Sequence, residues 1–98
     1  MKIREIRNNN KLTLAIKGRI DTATAPQLET AVKTKTDGVE QLEIDLKETD
    51  YISSAGLRVL LAAQKSMKKQ GSMVVTNVNE VIHEIFEVTG FLDILTIQ

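Results

Sequence analysis

Two stretches of alternation, Leu12-Thr13-Leu14-Ala15-Ile16-Lys17 and Leu42-Glu43-Ile44-Asp45-Leu46, constrain this chain more than any other feature. A period of two puts the leucines and isoleucines on one side of an extended strand and the remaining residues on the other. Each strand is therefore covered by protein on a single face. Between them, Thr24-Ala25-Pro26-Gln27 supplies a capping threonine, a proline in the first turn and a glutamine at the third helical position. This predicts a helix from there to about Lys35, stopped by Thr36-Asp37-Gly38. Strand, helix and strand in succession imply a right-handed crossover and parallel pairing.

The same reasoning extends to the rest of the chain. Ile3 and Ile6 mark a short strand ahead of an Asn8-Asn9-Asn10 turn, and Met73-Val74-Val75 and Ile94-Leu95-Thr96-Ile97 are two further strand candidates. From Ser54 to Gln70, Leu57, Leu60, Leu61, Gln64 and Met67 form a helical stripe. Lys68 and Lys69 suit the negative end of that helix, and Gly71 is positioned for a left-handed cap. A third helix carries Val81, Ile82, Ile85 and Phe86, capped by Asn79 or Asn77 and stopped at Gly90. The predicted order is ββαβαβα followed by a terminal strand or short helical segment. The expected fold is α/β: one domain over 1–98, with a mixed sheet of four to five strands and helices mainly on one face.

Composition excludes several classes of function. The 98 residues hold 13 Lys+Arg and 13 Asp+Glu, so net charge argues against general binding to nucleic acid. No cysteine is present, which removes disulfides, thiolate nucleophiles and thiolate metal sites, and His83 is the single histidine. Three aromatic residues, Tyr51, Phe86 and Phe91, are a poor supply of stacking platforms for bases. No run approaches the roughly 20 apolar residues that cross a bilayer, and Met1–Glu5 has no signal-like apolar core, so a cytoplasmic protein without membrane attachment is expected. Charge is nevertheless segregated: residues 1–19 are net +5, 20–50 net −5, 51–75 net +4 and 76–98 net −4. Such blocks either steer a partner or cancel as solvated faces.

The informative segment runs from Leu46 to Leu61, read as a strand, a polar loop and a helix with Ser53 and Ser54 at its start. The first N–H groups of a helix lack partners and the dipole adds about half a positive charge, so a hydroxyl caps well there and a phosphate would be held better. As a plain cap, either serine is worth about 1 kcal/mol. Gly56 either lets the helix start approach a neighbour or meets a backbone requirement of the turn. Arg58 faces a partner, an internal carboxylate or solvent. A nucleophile elbow would need a flanking glycine that is missing, and His83 is predicted on a different helix. No glycine-rich phosphate loop exists, and Asp45 and Asp50 support a metal site only weakly. No enzyme activity, metal or cofactor is assigned.

At these residues the sequence resembles the STAS family, in particular bacterial anti-sigma factor antagonists, over nearly the whole chain. The family segment commonly written D-S-S-G-L aligns with Ser53-Ser54-Ala55-Gly56-Leu57, and G-x-[IL]-D aligns with Gly18-Arg19-Ile20-Asp21. The resemblance implies a domain that binds an ATP-using anti-sigma factor of the serine kinase type, frees a sigma factor, and is switched off by phosphorylation on Ser54. Ser53 replaces the family's acid and Ala55 its second serine, which makes Ser53 the second-choice acceptor. The implied partner surface is Asp21, Ser53, Ser54, Gly56, Leu57 and Arg58, with Ile52, Tyr51 and Val59 as further apolar candidates, and a phosphatase would reset the switch. Two other readings are a STAS scaffold or subunit of a stress-signalling or lipid-transport complex without a phospho-switch, and a small enzyme using Ser54 and Asp21.

Overall fold

The computed structural model describes residues 1–98. The elements are β1 (Lys2–Asn8), β2 (Lys11–Ile20), α1 (Ala25–Lys35), β3 (Gln41–Ile52), α2 (Ser54–Lys68), β4 (Ser72–Thr76) and α3 (Glu80–Thr89), followed by a short 3-10 turn, Phe91–Asp93. β1 and β2 form an antiparallel hairpin whose turn needs a positive φ, supplied by Asn9 at 57°. β2, β3 and β4 are parallel, and the sheet order is β1-β2-β3-β4. The two parallel steps are crossovers through α1 and α2.

The alternation has its expected consequence. Leu12, Leu14 and Ile16 of β2 and Leu42, Ile44 and Leu46 of β3 join one buried cluster with Leu28 of α1, Leu57, Leu60 and Met67 of α2, Val75 of β4 and Ile82 and Phe86 of α3. Thr13, Ala15, Glu43 and Asp45 point to the opposite, helix-free face, where Glu43 accepts from the Thr76 hydroxyl at 2.7 Å and pairs with Lys11 at 3.2 Å. The fold is therefore α/β with the helices on one face, as expected.

Four local expectations are corrected. The residues read as a polar loop, Lys47–Asp50, belong to β3, which runs on to Ile52. Register shifts opposite Ala15/Lys17 and Gly18/Arg19 break the alternation, so the inward residue after Leu46 is Thr49, whose hydroxyl is satisfied by the Ile16 carbonyl at 2.7 Å. Of the two expected endings the short helical segment is the one observed, Phe91–Asp93, and the strand candidate Ile94–Ile97 is reduced to a single parallel bridge between Val75 and Ile97. Gly71 does not take a left-handed cap. A Cβ there would overlap the Glu40 carbonyl, so glycine is needed for close packing of the turn into β4. Thr24 caps α1 only in position, because its hydroxyl donates to the Arg19 carbonyl at 2.7 Å and bonds to Asp21.

Candidate functional site

β2 and β3 end together, with Arg19 paired to Tyr51 and Ile20 to Ile52, so the chain leaves the sheet at two adjacent points. The Ser53 N–H donates to the Ile20 carbonyl at 2.8 Å and carries the pairing one residue beyond the strand. Ser53 is extended (φ −94°, ψ 176°) and is the N-cap of α2: its Oγ accepts from the Gly56 N–H at 3.5 Å and its carbonyl from the Leu57 N–H at 2.9 Å. Of the two serines, Ser53 is therefore the cap. Ser54, the first helical residue, is exposed, and its hydroxyl has no partner in the chain. The N–H groups of Ser54 and Ala55 are likewise free of intrachain acceptors, as expected of a first helical turn.

Gly56 sets how deeply this helix start is seated. A Cβ on it would lie 2.6 Å from Cγ2 of Ile20 and 2.7 Å from Cγ1 of Ile52, both fully buried side chains at the ends of β2 and β3. Of the two readings of this glycine, close approach is the one observed, and the neighbour is the protein's own sheet. Leu57 and Val59 are buried, and so is Ile52. The expectation that Leu57 contributes to a docking face is thus corrected: four positions past the cap, it points into the core on the face of the helix packed against the sheet. Arg58 is exposed one turn into the helix, on a shallow groove of about 220 Å³ shared with Thr22, Ala25, Glu29 and Ala55.

Asp21 occupies the neighbouring loop. Its Oδ1 accepts from the N–H groups of Ala23 and Thr24, each at 3.0 Å, and shares with the Arg19 carbonyl the one proton of the Thr24 hydroxyl, 3.1 Å away. The Thr24 N–H, ahead of the Thr24 hydroxyl, the Ala23 N–H and the Arg19 charge, holds its carboxyl below the usual carboxylate range, against a smaller opposing effect of burial. Arg19 reaches Asp21 at 3.8 Å and also lies over the Tyr51 ring, 4.5 Å from the centroid. Sequence reasoning placed Asp21 near the helix start but missed the Arg19–Tyr51 stack, because that contact depends on a strand register that residue spacing cannot show. The six residues put forward thus divide: Asp21, Ser53, Ser54 and Arg58 have atoms at the surface of this end of the sheet, whereas Gly56 and Leu57 act from beneath it.

The description STAS domain matches residues 2–98. The anti-sigma-B factor antagonist of Bacillus subtilis is 35% identical over 92 residues, covering 93% of this chain and 84% of its own. A crystal structure of an anti-sigma factor antagonist from Mycobacterium paratuberculosis superposes with a TM-score of 0.88 at 24% identity, covering 98% of this chain and 83% of that one. The Bacillus cell fate determinant SpoIIAA in its phosphorylated form shares the fold with a TM-score of 0.76 at 12% identity, over 99% of this chain and 91% of that one. No helix here is long and apolar enough to cross a membrane. On the span of the family match and the identity to its curated relatives, this chain belongs to the STAS domain family.

Proposed function

We propose that the chain is an anti-sigma factor antagonist whose binding is switched at Ser54. Unmodified, it docks the end of the sheet that carries Asp21, Ser54 and Arg58 onto an anti-sigma factor and so frees a sigma factor for transcription. That partner is an ATP-binding serine kinase. The Ser54 Oγ attacks the γ-phosphorus of ATP, the bond to the departing ADP breaks, and the hydroxyl proton passes to a base on the kinase. A phosphatase restores the hydroxyl. The 35% identity to a named antagonist supports the class of function.

The observation that carries the choice of residue is the exposed, unpartnered Ser54 hydroxyl beside two free backbone N–H groups. Ser53 Oγ is engaged in the cap and its side chain is half-buried, which favours Ser54 as acceptor. A phosphate adds about −1.5 to −2 charges at pH 7, and the helix start stabilises that charge without refolding the domain. The partner, by contrast, meets repulsion from its own carboxylates or nucleotide phosphates.

Pull-down of the anti-sigma factor from the native lysate tests this reading with two variants. Ser54→Ala should retain the partner in the presence of ATP, and Ser54→Asp should bind it more weakly than wild type while folding normally. Equal retention by Ser54→Asp and Ser54→Ala would overturn the charge mechanism.

A further inference from the structure

Four large apolar side chains are exposed: Val81, Val88 and Ile94 near the C-terminus, and Ile6 on β1. Their surroundings carry opposite charge. On α3, Val81, Ile85 and Val88 follow a spacing of four and three residues and so share one flank of the helix, with Val88 74% and Val81 54% exposed. Glu80, Glu84 and Glu87 accompany them, none forms an ion pair, and no Lys or Arg occurs from 76 to 98. Ile6, 47% exposed, shares the helix-free side of β1 with Lys2 and Arg4, which also lack ion-pair partners, and Arg4 and Lys2 pair in register with Ala15 and Lys17 of β2. β1 is the free edge of the sheet, while the C-terminal segment closes the other edge through the Val75–Ile97 bridge. The molecule is neutral overall, with unpaired basic side chains on β1 and unpaired acidic ones on α3.

We propose that these two patches fit each other on successive copies of this chain. Ile6 of one copy packs on the Val81–Val88 flank of the next, with Lys2 and Arg4 against Glu84 and Glu87. Zero net charge leaves no long-range repulsion to oppose the approach. The lysines at the end of α2 are basic too, but no large apolar side chain is exposed among them, which singles out β1. The contact is heterologous and head to tail, so it does not close as a two-fold dimer. α3 is about 15 Å long, so the contact buries at most a few hundred Å² and the association is weak, with half-association on the order of 0.1–1 mM. Ser54 takes no part in it, so it stands or falls independently of the phospho-switch.

Sedimentation of the full chain near 1 mM protein tests this. In about 20 mM salt the average mass should exceed the 10.9 kDa monomer, and in about 0.5 M salt it should return to it as screening shortens the range of the ion pairs. Glu84→Lys/Val88→Lys and Arg4→Thr/Ile6→Thr each remove one face at exposed positions, and each variant alone should be monomeric. Their equimolar mixture retains one good face of each kind and should form dimers and nothing larger. A monomeric wild type at low salt would overturn the proposal. So would a mixture that stays monomeric, which would indicate a like-with-like contact, or association of either variant alone.

Discussion

Gly56→Ala isolates the contact that seats α2 on the sheet. The added methyl would lie 2.6 Å and 2.7 Å from carbons of Ile20 and Ile52, against an ordinary contact of about 3.5–4.0 Å. Both isoleucines are fully buried, so relief requires moving side chains that have no free volume. Overpacking of this kind costs about 1–3 kcal/mol, and replacing glycine by alanine in a helix returns at most about 1 kcal/mol. Two clashes under 3.0 Å belong to the upper part of that cost range, so the balance is a destabilisation of about 1–2 kcal/mol, or roughly 5–15 °C in melting temperature for a domain of this size. Calorimetry measures it directly. Gly71→Ala should cost more, since the atom it meets is backbone rather than a side-chain end. A Gly56→Ala protein as stable as wild type would refute the packing argument.

Three further outcomes follow from the same geometry. Ser53→Ala should cost about 0.5–2 kcal/mol for the lost cap, whereas Ser54→Ala should leave denaturant unfolding nearly unchanged, because only Ser53 accepts a helix N–H. Gln64 is buried with its Oε1 unpartnered, so Gln64→Leu should raise the unfolding free energy from denaturant titration by about 1 kcal/mol. Asp21 is more acidic folded than unfolded, so it stabilises the fold above the ordinary carboxylate range and that contribution is lost as pH falls through its lowered native value. In urea titrations over pH, the difference between wild type and Asp21→Asn should shrink on acidification; a difference that grows would contradict the assigned hydrogen bonds.

The alternating segments disclosed β2, the core of β3 and the single covered face, because burial on one side imposes a period that residues cannot evade. Helix ends were legible where chemistry is local: Pro26 at the start of α1, Asn79 as cap of α3, and Gly90 in the left-handed region at φ 80°. The far end of β3 was not, since the bulge at Leu46–Lys47, opposite Ile16, shifts the inward position from 48 to 49 and leaves Lys47 and Glu48 as two consecutive exposed residues. Gly71 was misread because a close approach to Glu40 is a tertiary fact, whereas a cap is a local one. At the site, the division of labour between Ser53 and Ser54 also lay beyond the sequence: either hydroxyl can cap, and the choice depends on where the Ile20 carbonyl fixes the backbone.

The most direct test of the switch is phosphosite mapping by mass spectrometry after incubation with ATP and the anti-sigma factor recovered from the same cells. The account predicts one phosphate, on Ser54, with loss of the complex as the modified form accumulates. Phosphate on Ser53 instead, or none on either serine while the complex persists unchanged, would contradict it.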